Sequence, residues 1–254
     1  MDENRRNAVQ TTRTAFEILE RIRDNGGMGI SELARDLGLA KSTIHRHLST
    51  LYDEGYVIKE GNAYSLSLQF LDFGESARTR NPAYPMAGEK VKELADETEE
   101  RVQFMVEEHG SAVYVYREVG ERAVQTDPGI GKRIPLHATA AGKAILAYSP
   151  REKVAEILTT QGLVSLTDAT ITRKEELQNQ LEEIRSQGYG FNKQENVTGL
   201  HAVGVPVIGP DGEVIGALSV SGPSHRLTGE RLTEELPRLL LGTANELELN
   251  IAHA

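Results

Sequence analysis

Ile30-Ser31-Glu32-Leu33-Ala34-Arg35-Asp36-Leu37-Gly38-Leu39-Ala40-Lys41-Ser42-Thr43-Ile44-His45-Arg46-His47-Leu48-Ser49-Thr50-Leu51-Tyr52 decides the fold of the amino-terminal part of the chain. Ile30, Leu33, Ala34 and Leu37 recur at the spacing of one helical face. Gly38 then supplies a residue that tolerates the left-handed conformation of a helix end. After the short turn Gly38-Leu39-Ala40, a second periodic segment runs from Lys41 to Tyr52. Two short helices so connected form a helix-turn-helix, whose second helix is shaped to enter a major groove.

That second helix splits cleanly by face. Ile44, Leu48 and Leu51 make an apolar stripe for packing, while Ser42, Arg46 and Ser49 lie opposite, flanked by His45 and Thr50. Lys41 to Thr50 contains no acid, in a chain with 38 Asp and Glu. An arginine on such a face can donate two hydrogen bonds to guanine O6 and N7, and hydroxyls can bond bases or phosphates. The candidate DNA-contacting residues are therefore Lys41, Ser42, Thr43, His45, Arg46 and Ser49. His47 falls toward the packed side and is assigned a structural role.

The flanking sequence extends the pattern in both directions. Ala15, Phe16, Leu19 and Ile22 predict a preceding helix over 12–24, stopped by Asn25-Gly26-Gly27. Downstream, Gly55-Tyr56-Val57-Ile58 and the alternating 64–68 segment flank a Gly61-Asn62 turn, which predicts a β-hairpin. A hairpin directly after a recognition helix is a wing, and Lys59 near its tip is placed to reach a phosphate. Leu68 to Arg80 predicts a short amphipathic helix, with Phe70 and Phe73 expected to pack on a second copy of the chain. Asn81-Pro82 and Tyr84-Pro85 are expected to end it. The expected organisation is residues 1–67 as a winged helix-turn-helix, 68–85 as a linker helix, and 86–254 as a second domain.

Bulk composition is compatible with this. Residues 1–65 carry 9 Lys and Arg against 10 Asp and Glu, so the net charge of −10 resides almost wholly in the remainder. Any affinity for nucleic acid must then come from a local surface. The chain has no cysteine, so neither disulfides nor thiolate zinc sites are available, and its seven histidines show no ligand spacing. No cofactor and no metal are expected. Without a membrane-length apolar run or a signal peptide, the expected compartment is the cytoplasm, with no membrane partner.

From Met86 the pattern becomes mixed. Helices are expected at 88–100, 139–148, 151–158, 173–187 and 229–251, and strands at 102–107, 112–118, 122–126, 201–208 and 214–221. Strands in this order with helices at both ends predict an α+β class. Gly-x-Ser-x-Gly, HExxH and a complete phosphate loop are all missing.

Three segments resemble the isocitrate lyase regulator (IclR) family of transcription factors. Leu39-Ala40-Lys41-Ser42-Thr43-Ile44-His45-Arg46 is similar to its recognition helix, and Pro135-Leu136-His137-Ala138-Thr139-Ala140-Ala141-Gly142-Lys143-Ala144 to its central block. Gly188-Tyr189-Gly190-Phe191-Asn192-Lys193-Gln194-Glu195, with Gly199 and Ala202-Val203-Gly204-Val205-Pro206-Val207, resembles its C-terminal signature. The resemblance implies a GAF-like effector-binding domain, dimers formed largely through the N-terminal domains, often dimers of dimers, and operator DNA as partner. It places Ala140 and Ala141 on one wall of an effector pocket, with Asn192, Ala202, Ser219 and Ser221 opposite. Asn192 stands where the family often has an acid, and Ala202 where it often has cysteine.

The residues give their own account of that pocket. Thr139 suits the N-cap of a helix beginning at Ala140, whose free N–H groups attract an anion. Ser219 and Ser221, two apart on a strand, offer their hydroxyls on one side. His201 and Arg226 are available to assist. The expected effector is a small organic acid. A hydrolase using Ser219 or Ser221 with His201, and a helix-turn-helix that docks protein in place of DNA, are the competing functions.

Overall fold

The computed structural model describes residues 9–123 and 129–253. The chain divides into two compact units between Ala77 and Arg78. In the first, α1 (Gln10–Asn25), α2 (Ile30–Leu37) and α3 (Lys41–Asp53) surround a core of Ile18, Ile22, Leu33, Ile44 and Leu48. Gly26 and Gly38 end α1 and α2 at φ 68° and 65°, a conformation a β-carbon makes costly. β2 (Val57–Glu60) and β3 (Ala63–Leu66) form the wing around Gly61-Asn62. The two-residue strand β1 (Met28–Gly29), too short to show as an alternation in sequence, adds a third strand by pairing with β3.

α4 (Gln69–Thr79) follows, and its aromatic side chains find a partner within the unit. Phe70 and Phe73 lie 5.7 and 6.0 Å from the Tyr56 ring, centre to centre. Phe70 is partly buried against this unit's core, while Leu68, Leu71 and Phe73 remain exposed.

The second unit is a curled, fully antiparallel sheet with helices on both faces. Its strands are β4 (Arg101–Glu108), β5 (Ser111–Val119), β6 (Arg133–Pro135), β7 (Gly190–Lys193), β8 (Leu200–Ile208) and β9 (Val214–Pro223), in the spatial order β6-β5-β4-β9-β8-β7. α5 (Ala83–Thr98) and α9 (Leu236–Ala252) cover one face, where Val102, Phe104, Val203, Val205, Leu218 and Val220 meet them. α6 (Ala140–Tyr148), α7 (Arg151–Gln161) and α8 (Lys174–Gln187) cover the other, over Met105, Ala112 and Ala217. Alternate residues of one strand thus feed two separate cores.

Three boundaries depart from expectation. α5 begins at Ala83 and carries Pro85 in its first turn, where a missing N–H leaves no helix bond unmade. The strand expected at 122–126 opens in a turn at Arg122, and its residues 124–126 lie outside the described residues. β6 instead pairs with β5 through Ser111–Pro135, Ala112–Ile134 and Val113–Arg133.

Candidate functional site

Antiparallel register builds a polar floor at one end of the sheet. Reading across from β4 to β7, Arg101 pairs with Ser221, Ser221 with Ala202, and Ala202 with Asn192. The next row toward the sheet centre is Gln103, Ser219, Gly204 and Gly190. The row after that reaches the apolar pair Met105 and Ala217 beneath α6. Side chains two apart share a face, so one face of the sheet grades from apolar to polar exactly where α6 begins to leave it uncovered.

The glycines of the middle row let the start of α6 settle on the sheet. A β-carbon on Gly204 would come within 2.6 Å of the Ala140 carbonyl carbon and the Ala141 nitrogen. A β-carbon on Gly190 would come equally close to Ile184 on α8. Thr139 caps α6 with its Oγ1, which accepts the Gly142 N–H at 2.9 Å.

Around this helix start, Arg101, Gln103, Thr139, Ala140, Ser219 and Ser221, with Asn192, His201 and Ala202, line a cavity of about 30 Å³. Ser219 and Ser221 are both buried. Gln103 donates from Nε2 to Ser219 Oγ at 2.5 Å, and Arg101 Nε donates to Ser221 Oγ at 2.9 Å. Burial pushes the Arg101 guanidinium below its ordinary value, and the neighbouring Arg117 charge acts in the same sense. An arginine so perturbed still remains a cation near neutral pH. Burial raises the Tyr114 phenol, a further lining residue, which keeps it protonated and able to donate.

Four residues singled out from sequence have other duties. Ala141 packs into the apolar cluster with Leu136, Ala144 and Ile145 and does not line the cavity, because adjacent helical residues face about 100° apart. Asn192 is committed internally: its Nδ2 donates to Ala138 O at 2.5 Å, and its Oδ1 accepts from the Glu195 N–H at 3.0 Å. Arg226 is bound to the buried Glu100 carboxylate at 2.9 and 2.7 Å, and so does not line the cavity. His201 sets Nδ1 2.8 Å from Leu227 O, which requires Nδ1 to carry the proton. Its Nδ1 and the two serine hydroxyls are thus engaged elsewhere, and a hydrolase-type serine–histidine pair is not formed among the described residues.

Arg101 and Gln103 were missed in the sequence. The signal was present: both stand at a two-residue interval ahead of the apolar run Phe104-Met105-Val106, which marks a strand end whose one face leaves the core.

In the first unit, α3 presents Lys41, Ser42, His45, Arg46 and Ser49 to solvent, with Thr43 half-buried at its edge. Ile44 and Leu48 are fully buried on the other side. Among the described residues, neither Lys41 nor Arg46 forms an ion pair. Lys59 stands on β2 with its Nζ 5.6 Å from the centre of the Tyr64 ring.

Two family descriptions match the chain: "Bacterial transcriptional regulator IclR C-terminal" over residues 80–249, and "IclR helix-turn-helix domain" over residues 13–61. The chain is 34% identical over 234 residues to the HTH-type transcriptional regulator KdgR of Escherichia coli (strain K12), covering 91% of this chain and 89% of that protein. It superposes on the crystal structure of the Thermotoga maritima IclR with a TM-score of 0.81 at 28% identity, covering 96% of this chain and 99% of that one. An IclR homolog from Microbacterium hydrocarbonoxydans, crystallised in complex with 4-hydroxybenzoate, shares the fold at a TM-score of 0.83 and 21% identity, with 96% of this chain and 100% of that chain covered.

Proposed function

The chain belongs to the IclR family of bacterial transcriptional regulators, DNA-binding proteins with an effector-binding C-terminal domain, and we propose that its effector is the anion of a small organic acid held beside Ser219 and Ser221. The observation that carries this reading is the convergence of Arg101, Gln103, the two serines and the capped start of α6 on one cavity. The acidic remainder of the chain repels anions at long range, so recognition rests on short-range donors. Arg101 and Gln103 already donate to serine hydroxyls. A carboxylate accepts the same N–H groups more strongly than a hydroxyl does, because its charge assists the bond.

As it stands, the cavity has room for about one or two water molecules. A carboxylate therefore enters by displacing the Arg101–Ser221 and Gln103–Ser219 contacts and taking their donors, while the freed hydroxyls orient its second polar group. The 4-hydroxybenzoate bound by the Microbacterium homolog is itself an organic acid, which is in keeping with this chemistry. Calorimetric titration with acetate, succinate, benzoate and 4-hydroxybenzoate, each against its neutral amide, tests the reading. Binding of at least one acid, lost in its amide and in Arg101→Gln, is expected. Binding of amides as well as acids would overturn it.

On the DNA side, α3 lies in the major groove of an operator with Arg46 on a guanine edge; Lys41, Ser42, Thr43, His45 and Ser49 contact base edges or phosphates, and Lys59 reaches a phosphate from the wing. Operator half-sites come in pairs, so the working form is a homodimer or a dimer of dimers. Phe16, 60% exposed on α1, is a candidate contact for the second copy. The cytoplasm is the compartment where such a regulator meets DNA.

A further inference from the structure

One buried charge in the second unit plays no part in the cavity wall. Lys143 lies on α6, one turn beyond Thr139, and is completely buried. Its Nζ donates to both carboxylate oxygens of Glu195, at 2.7 and 2.6 Å, and to Gln180 Oε1 on α8 at 2.8 Å. Glu195 belongs to the 194–199 connection between β7 and β8, and that connection brings Asn196 and Val197 to the cavity. Neither Lys143 nor Glu195 lines it.

The connection is fastened differently at its base and in its middle. At the base, Gln194 N–H bonds Leu200 O at 2.9 Å and Ser224 N–H bonds Gly199 O at 2.8 Å, while Gln194 O accepts the Thr167 hydroxyl at 2.7 Å and Gln194 Oε1 accepts the Gly199 N–H at 2.8 Å. In the middle, Val197 O accepts the Leu200 N–H at 3.2 Å, and the holds that reach outside the segment converge on Glu195. Its N–H donates to Asn192 Oδ1, its carbonyl accepts the Thr170 hydroxyl at 2.6 Å, and its carboxylate meets Lys143. Asn192 in turn donates to Ala138 O, directly before the Thr139 cap. Glu195 is thus held to α6 by two routes, one through Lys143 and one through Asn192. A buried pair of this kind is seldom more stabilising than apolar residues of the same volume, and its attested use is to fix one arrangement among several.

Building on the reading of the cavity as an anion site, we propose that Lys143 is a positioning residue: through Glu195 it holds the 194–199 segment in place as the cavity's outer wall, and so sets ligand affinity without touching the ligand. A carboxylate that must open the cavity works against this fastening, and one that has entered is retained by it. Affinity then depends on a charge pair lying outside the site.

The test uses the full chain with two variants. Lys143→Met combined with Glu195→Met replaces the pair by apolar side chains and keeps the fold; Glu195→Gln keeps the shape and the acceptor for the Lys193 N–H but removes the charge. Amide hydrogen exchange is followed over 194–200 and over β8 and β9. In the double variant the 194–200 amides exchange about tenfold faster or more, Glu195→Gln falls between, and Val203, Val205 and Val220 keep their protection. The Kd of the acid that binds best among acetate, succinate, benzoate and 4-hydroxybenzoate rises about tenfold in parallel. Unchanged exchange over 194–200 overturns the proposal, and so does an equal loss of protection throughout β8 and β9, which would make the pair a general stabiliser. Unaltered acid affinity in a loosened double variant overturns it too. If none of the four acids binds the unmodified chain, the anion reading falls, and the exchange data alone still decide whether Lys143 holds the segment.

Discussion

In the first unit Lys41, Ser42, Arg46 and Ser49 stand in solvent on one helix, while in the second Gln103, Asn192, Ser219 and Ser221 are buried and bonded to one another or to the backbone. The difference suits what each surface is proposed to recognise. A duplex is large, charged and rigid, and a convex helix face meets it with groups that need no partner beforehand. A small anion must be stripped of water, so its donors have to be buried, and buried donors must be satisfied in the unliganded protein as well. Side chains on α3 are therefore separable from stability, whereas those around the cavity are not.

Truncation of Glu195 should break this contrast most sharply. Glu195→Ala leaves the fully buried Lys143 without its carboxylate, and a loss of about 3–5 kcal/mol in the unfolding free energy is expected from urea denaturation. The same truncation at Arg46 should leave the urea midpoint within about 0.5 kcal/mol of the parent. In operator binding the order reverses. Arg46→Ala should weaken a gel-shift titration at fixed salt by about 1–3 kcal/mol, and an unchanged affinity would remove Arg46 from the interface.

Ser221→Ala sharpens the comparison within the second unit, because it removes one hydroxyl and leaves the Arg101 N–H without that acceptor. Acid affinity should fall by about 1–3 kcal/mol in calorimetry, with a smaller loss of stability alongside it. A ligand effect with no stability effect would mean that the hydroxyl is not part of the resting network.

His137 provides a pH-dependent version of the same contrast. Burial lowers its pKa below the ordinary 6.5, against an opposing bond to Val164 O and the Glu195 charge. The unfolded chain then takes up the proton first, so stability is fully present above pH 6.5 and declines as pH falls through and below that value. Denaturation midpoints between pH 7.5 and about 5 should show this decline, and His137→Gln should flatten it. The smallest effect is expected at the wing. Lys59→Ala should cost operator affinity less than about 1 kcal/mol and reduce the salt slope by about one, with sequence preference unchanged.

Legibility followed the same division. The helix-turn-helix was visible because its apolar stripe, its Gly38 cap and its polar face are all encoded at spacings of three and four residues. β7 was hidden: Gly190-Phe191-Asn192-Lys193 is too short to establish an alternation, and it is a strand only because β8 lies beside it. Phe70 and Phe73 read as an exposed pair, but Tyr56, more than ten residues earlier, meets both rings and Phe70 becomes partly buried, while Phe73 stays exposed.

By itself, the sequence determined the recognition helix, its wing, the Thr139 cap and the family, since each depends on residues close together in the chain or on a contiguous motif. The tertiary structure decided which polar residues face the cavity. Arg101 meets Ser221 across 120 positions and Lys143 meets Glu195 across 52, and only strand register and helix packing bring them together. It also withdrew Ala141 and Arg226, one into the core and the other onto Glu100. A side chain's chemistry is written in the sequence, but its partner is set by burial, where every polar atom must be answered by whichever group the fold places within about 3 Å.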